Sequence, residues 1–379
     1  MELRTSVMPA LLTQLGSKLM KIDVRTRISR KLTTHGRLCC SVSQSLKTQP
    51  WKVMFFGTDQ FSLPHLEALE ESRKSGTLID RLEVVVPESK FIKRRGKTRR
   101  TSPVWDFTQT QALPCHQWPL HGPPADFDVG IIVSFGHLLP KWLIESFPLG
   151  ILNVHPSLLP RWRGGAPIQH TILNGDQTTG VSIMRIRPDK FDVGPILLQR
   201  QCAVPERSTT ESLSDLLAAM GSEMLLEVLC DLPTFIKNET PQEGEGVTLG
   251  LKIPQKMAWV DWHSSVQEID RLSRALSGQM PLLTLFEGKE LRLEQMLPPR
   301  QNDGTASPED SAPGSVCYCR ETDAIYVRCK DGWVAFQSVS PIGRRRITAK
   351  EFYNGFLSSP RSSTSSELRK FYDVKSVDR

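Results

Sequence analysis

No apolar run in this sequence approaches the roughly 18 residues that a bilayer helix needs, so neither a membrane span nor a membrane partner is expected. The eight cysteines contain no CxxC pair; Cys39 and Cys40 are adjacent, and Cys317 and Cys319 are one residue apart. That spacing suits neither a zinc site nor a disulfide framework, so no metal is expected and the thiols read as reduced. A single glycine, Gly57, closes the first strand-like run, where a dinucleotide fingerprint needs three, and NAD is disfavoured. GxSxG is absent, so no serine sits in a nucleophile elbow. Internal repeats are absent as well.

A general excess of positive charge is also missing, although the net charge is +7. Residues 1–50 hold nine Lys/Arg against two acids, Glu2 and Asp23, and this leaves 39 basic and 39 acidic residues in the rest of the chain. A polyanion site must therefore come from local clustering. The leader, 1–48, is rich in Arg, Lys, Ser and Thr, with leucines at 11, 12, 15 and 19. It lacks the dense apolar core of a secretory signal and is expected to be a mitochondrial or plastid transit peptide cleaved before Trp51, rather than a disordered basic tail.

From Trp51 the pattern alternates. Lys52–Gly57 reads as a buried strand, Phe61, Leu63, Leu66 and Leu69 as a helix, and Leu82–Val86 as a second strand. Asp128–Phe135 is the most apolar run and a central strand, and a short helix over 138–147 follows. Gly150–Val154 is a strand, Ala166–Leu173 a helix stopped by Asn174-Gly175, and 179–186 and 196–204 are further strands. The expected class is α/β: a Rossmann-like, mostly parallel sheet with helices on both faces. Two capping boxes, Ser208–Glu211 and Ser265–Glu268, open helices beyond it. From Leu282, short strands at 282–286, 290–295, 315–319, 324–329 and 332–338 predict a small β-barrel resembling the oligonucleotide-binding fold.

Three stretches carry chemistry. In Lys90–Arg100, seven of eleven residues are basic and none is acidic. It follows a strand, so it falls at the sheet's carboxyl edge, where ligands bind; phosphates would favour such a cluster by releasing counterions. In Asn153-Val-His155 the two polar side chains are two apart on a strand and share a face. The carboxamide can donate to a developing oxyanion, and the imidazole can donate or accept. The loop after the 179–186 strand carries two acids, Asp189 and Asp192, and one of them can face His155. With no protein nucleophile in view, the attacking group belongs to the substrate.

The run ILNVHPSLLPRWRGGAPIQ, together with VMFFGTDQFSLPHLEAL, the basic loop closing in TSPV, TTGVSIM and FDVGPIL, resembles the folate-dependent formyltransferases over residues 51–357. Within them it is similar to the branch that acts on methionine carried by initiator tRNA, in its mitochondrial form. The resemblance implies transfer of the formyl group of 10-formyltetrahydrofolate to the α-amine of methionyl-tRNA, in the mitochondrial matrix, by a monomer with no protein partner. It carries the catalytic trio onto Asn153, His155 and Asp192, with Asp189 the rival by spacing, because 187–192 is one residue longer than the bacterial pattern. It carries folate contact onto Ser157, Leu158, Leu159 and Pro160, and tRNA contact onto Arg94, Arg95, Lys97 and Arg99. The expected domains are 1–48 transit peptide, 51–237 catalytic, 238–255 linker, 256–357 tRNA-binding barrel and 358–379 mobile tail, with an insertion at 298–314. The rival readings are formyl transfer to another amine and a non-catalytic RNA-binding relative.

Overall fold

A computed structural model describes residues 48–87, 102–188, 190–242, 244–299, 311–358 and 369–372. The leader, the basic run 90–100 with Arg94, Arg95, Lys97 and Arg99, Asp189, and most of 298–314 and of the tail lie outside the described residues. All those described belong to one compact unit, Leu46–Arg379.

Strand β1 (Trp51–Gly57) shows why the first sheet is buried on both faces. Its side chains alternate, and both sets are apolar. Val53 and Phe55 enter one core with Leu66 and Leu69 of α1 (Leu63–Ser75). Met54 and Phe56 enter a second core with Phe135, Leu139, Leu143 and Phe147. The chain continues through β2 (Ile79–Pro87), α2 (Pro103–Gln111), β3 (Cys115–Trp118), β4 (Val129–Val133), α3 (Lys141–Ile144), β5 (Ile151–His155), α4 (Pro167–Asn174), β6 (Thr178–Arg185) and β7 (Ile196–Ala203). The strand order is β3-β2-β1-β4-β5-β6-β7. The first five strands are parallel; β6 runs antiparallel to β5, and β7, paired antiparallel with β6, runs again in the direction of the first five. The chain steps outward from β1 to β3, then returns to lay β4 on the other side of β1. That reversal opens a crevice at the carboxyl ends of β1 and β4, next to the end of β5.

The expected mostly parallel α/β sheet is thus present, with local differences. The 138–147 helix shrinks to four residues, because Pro140 sits extended at its start and Pro148 follows it. The long helix α5 (Thr210–Cys230) is capped one residue later than expected: Thr209 and Ser212 form the reciprocal box. Ser208 is already committed, its hydroxyl donating to Pro205 O at 2.7 Å. The short α6 (Leu232–Lys237) ends the first region.

The second region has its own core. Helix α7 (Val266–Leu276) starts at the expected Ser265–Glu268 box. Strands β8 (Leu282–Phe286), β9 (Lys289–Met296), β10 (Val316–Cys319), β11 (Ala324–Arg328), β12 (Trp333–Pro341), β13 (Ile347–Thr348), helix α8 (Ala349–Phe352) and β14 (Phe371–Tyr372) complete it. The antiparallel sheet has the order β10-β11-β12-β9-β8-β14, with β13 on β12. A bridge between Ser315 and Lys370 joins the two edges, with Val316 N donating to Arg369 O at 2.7 Å and Phe371 N to Gly314 O at 2.8 Å. The final stave therefore comes from the tail expected to be mobile, and Phe371 is only 2% exposed.

Among the described residues no helix is long and apolar enough to cross a membrane, and no three His, Cys, Asp or Glu side chains are grouped to hold a metal ion. Of the described cysteines, Cys329 is buried, and desolvation pushes its thiol up to about 12.

Candidate active site

Strand β5 lies between parallel β4 and antiparallel β6, with Asn153 opposite Ile132 and Met184, and His155 opposite Ser182. Leu152 and Val154 point into the core shared with α1 and α5, while Ile151 points into the opposite core. Asn153 and His155 follow Ile151 on that second face, as their spacing of two requires. Strand pairing holds the backbone, so both polar groups arrive at the carboxyl edge on a rigid support.

The loop after His155 is tied to the sheet by its own backbone. Ser182 Oγ donates to Ser157 O at 2.6 Å and accepts Leu159 N–H at 3.0 Å; Gln199 Nε2 donates to Leu159 O at 3.0 Å. Ser157 Oγ donates to Arg161 O at 2.6 Å. Ser157 and Leu159 are buried, so within the Ser157–Pro160 segment the accessible surface belongs mainly to Leu158 and Pro160. Further on, Arg161 makes a two-point pair with Asp176 at 2.8 and 2.6 Å and lies over the Trp162 ring. Trp162 also donates Nε1–H to Asp176 and stacks on His170.

This loop is paired on its other side with the segment 247–251. Arg163 N donates to Thr248 O at 2.9 Å, Gly250 N to Arg163 O at 2.7 Å, and Ala166 N to Gly250 O at 2.8 Å. Gly164 adopts φ +126°, and a Cβ there would lie 2.7 Å from Gly250 O, so only glycine fits. A stretch expected to be a polar linker is therefore a third strap on the motif.

Asp192 comes from the loop joining β6 and β7. It has φ +54°, a backbone conformation uncommon for a residue with a side chain, and is 9% exposed. Its Oδ1 accepts from Asn153 Nδ2 at 3.1 Å and lies 3.7 Å from His155 Nδ1. Its Oδ2 accepts the Gly164 N–H at 2.9 Å. The other imidazole nitrogen, Nε2, lies 3.0 Å from Trp162 O. A carbonyl can only accept, so Nε2 carries the proton, and in a neutral ring Nδ1 would present its lone pair to a carboxylate oxygen. A doubly protonated ring presents an N–H to each oxygen.

The structure thus brings together Asn153, His155 and Asp192, from β5 and a loop 39 residues away from Asn153. Sequence reasoning missed the Gly164 amide, the Trp162 carbonyl and Gln242. The two backbone groups carry no residue-type signal, and a lone glutamine in a polar segment is equally silent. Gln242 Nε2 donates to Asp192 O at 3.0 Å and Gly194 O at 2.8 Å. Strand β2 ends at Pro87 on the same carboxyl edge, so the chain leaves the sheet there immediately before the basic run. A second basic cluster, Arg344–Arg346, is partly neutralised: Arg345 pairs with Glu351 at 3.3 Å and Arg346 with Glu294 at 3.5 Å.

Comparison with known proteins gives two family matches: formyl transferase over residues 51–229, and formyl transferase, C-terminal domain, over 252–357. A human protein named methionyl-tRNA formyltransferase, mitochondrial, is 41% identical over 334 residues, covering 86% of this chain and 83% of that one. The methionyl-tRNA formyltransferase of Methylococcus capsulatus is 35% identical over 313 residues, covering 80% and 96%. Among solved structures, HypX from Aquifex aeolicus in complex with tetrahydrofolic acid shares the fold with a TM-score of 0.53 at 17% identity, over 84% of this chain and 50% of that one. WlaRD, a sugar 3N-formyl transferase crystallised in the presence of dTDP and 5-N-formyl-THF, does so with a TM-score of 0.54 at 15% identity, over 78% and 100%.

Proposed function

The chain belongs to the formyl transferase family, and on that premise we propose that Asn153, His155 and Asp192 carry its chemistry. It is a methionyl-tRNA formyltransferase of the mitochondrial kind, the activity for which its 41%-identical human relative is named. It transfers the formyl group of 10-formyltetrahydrofolate to the α-amine of methionine on initiator tRNA. We further assign it to the matrix, as a monomer.

The residues suit a carbonyl substrate. A carboxamide with a second N–H to offer, an imidazole and a carboxylate converge at the sheet edge, and the Ser157 hydroxyl is committed to Arg161 O. The bound folate supplies a formyl carbon activated by its nitrogen. Asn153 gives one Nδ2 hydrogen to Asp192 and directs the other at the formyl oxygen, where negative charge develops as the amine attacks. His155 adds positive charge beside that oxygen when its Nδ1 is protonated, and Asp192 balances that charge. Asp192 accepts the proton released by the amine, directly or through water, and the imidazole returns a proton to the departing nitrogen. Leu158 and Pro160 offer the apolar contact to folate, supported from beneath by Ser157 and Leu159. Arg94, Arg95, Lys97 and Arg99 hold tRNA phosphates; the run's charge and its place directly after β2 support that reading.

The observation that carries this reading is the Asp192 carboxylate held between Asn153, His155 and Gly164. The test is formyl transfer by protein beginning at residue 51, with 10-formyltetrahydrofolate and methionyl-tRNA charged on initiator or elongator tRNA. His155→Ala and Asp192→Asn should each lower kcat by about 100-fold or more, the usual scale of general acid–base contributions. Full activity in either variant would overturn the assignment.

A further inference from the structure

We propose that Gln242 is a positioning residue for Asp192, supplied to the catalytic domain by the segment that leads into the C-terminal one. The inference rests on the role assigned above to Asp192. Gln242 lies between the two family-matched segments, 51–229 and 252–357.

The amide of Gln242 is oriented from both ends. Its Nε2 donates to the main-chain oxygens of Asp192 and Gly194, at 3.0 and 2.8 Å. Its Oε1 accepts from Arg163 Nε at 3.0 Å and Nη2 at 2.7 Å. A flipped amide would set oxygen against two carbonyls and NH2 against a guanidinium, so only one orientation fits. None of these contacts involves an atom proposed to react. They hold the backbone that aims the Asp192 carboxylate.

That backbone needs holding. A residue with a side chain at φ +54° stores strain of about 1 kcal/mol or more, and the surrounding structure must maintain it. At Gly194 the loop comes so close to β6 that a Cβ would lie within 2 Å of Arg185 O. The segment carrying Gln242 is anchored first: Arg185 Nε donates to Glu239 Oε2 at 2.8 Å, and Thr240 and Ile196 exchange backbone hydrogen bonds of 2.8 Å. The circuit closes through the motif loop. Arg163 binds Gln242, and its neighbour Gly164 donates to the Asp192 carboxylate. Backbone and side chain of Asp192 are thus fixed by two segments, at Gln242 and at Gly164, that Arg163 joins to each other, and misplacing a reacting group by about 1 Å can cost roughly 100-fold in rate.

Two variants and a double-mutant cycle test this. Gln242→Ala removes these four hydrogen bonds and a long one from Nε2 to Met184 Sδ at 4.0 Å. Gln242→Glu keeps the size and the acceptor for Arg163 but replaces the donor with an oxygen facing two carbonyls. If Gln242 acts by donating to the Asp192 loop, both variants lower kcat by about 10- to 100-fold and change KM for either substrate by no more than about twofold. In an Asp192→Asn background neither adds a further loss, because the group they position is already disabled. Full kcat in Gln242→Glu, or losses that multiply with that of Asp192→Asn, would overturn the positioning role. Full activity of Asp192→Asn alone would instead overturn the role of Asp192, so the two failures are separable. Unfolding midpoints of each variant report folding independently.

Discussion

Replacing Phe371 tests whether the C-terminal residues complete the second domain. Phe371 is 2% exposed, and its ring lies 6.1 Å from that of Trp262, 5.6 Å from Phe286 and 6.2 Å from Phe352. Its backbone pairs with Phe286 on β8, and its N–H donates to Gly314 O on the opposite edge. Phe371→Ala leaves those backbone bonds available but deletes the ring from a core that cannot fully collapse around the gap. Such a deletion costs about 3–5 kcal/mol, a large share of the roughly 5–15 kcal/mol that stabilises a typical domain. Urea unfolding followed by tryptophan fluorescence is a suitable assay, because Trp259, Trp262 and Trp333 all lie in the second region. The expected result is a transition at lower urea with its slope unchanged. Phe371→Leu should recover part of the loss, and a chain ending at Ser358 should lose at least as much as Phe371→Ala. A change below about 1 kcal/mol in Phe371→Ala would refute the reasoning, since a surface-like side chain costs that little.

Three further outcomes are expected. His65 is fully buried, and desolvation lowers its pKa from 6.5 to about 4, although its Nδ1 donates to Phe61 O at 3.0 Å. Above pH 6.5 both states are neutral; below it the unfolded chain binds a proton that the folded one refuses, so stability falls between pH 6.5 and about 4, by at most roughly 3 kcal/mol. His65→Gln should flatten that part of a plot of unfolding free energy against pH. Gly164→Ala must displace Gly250 O or draw the Gly164 N–H away from Asp192, and should lower kcat by about 10-fold or more in steady-state assays with little change in KM for the folate. Arg95→Ala should raise KM for methionyl-tRNA and steepen no other substrate dependence; an equal loss with a small amine acceptor would count against phosphate contact by the loop.

Much of the first domain is legible locally. Strands β1 and β4 are short, almost wholly apolar runs, and their burial on both faces is what such runs predict; β5 is apolar apart from Asn153 and His155. The Ser265–Glu268 box is read correctly because both partners lie within one turn of helix. The Ser208–Glu211 box is not, because a neighbouring turn takes the Ser208 hydroxyl. Strand β3, whose residues are only half-buried at the sheet edge, lacks an apolar pattern strong enough to mark it. The antiparallel pairing of β6 with β5 and β7 leaves no mark on their composition, because strands of either direction can be apolar.

The site divides the same way. Asn153 and His155 share a face because a strand repeats every two residues, a local property that the sequence alone determines. The resemblance carried by RWRGGAPIQ and its companions supplied the family. Which groups hold Asp192 and His155 was decided only by tertiary structure. The Gly164 N–H, the Trp162 carbonyl and the Gln242 amide reach the site across 28, 7 and 50 residues. The same is true of Phe371, which pairs with Phe286 and reads in isolation as part of a polar tail. Hydrogen bonding to main-chain atoms and burial of a single ring depend on where distant segments pack, and neither leaves a periodic trace in the chain that makes them.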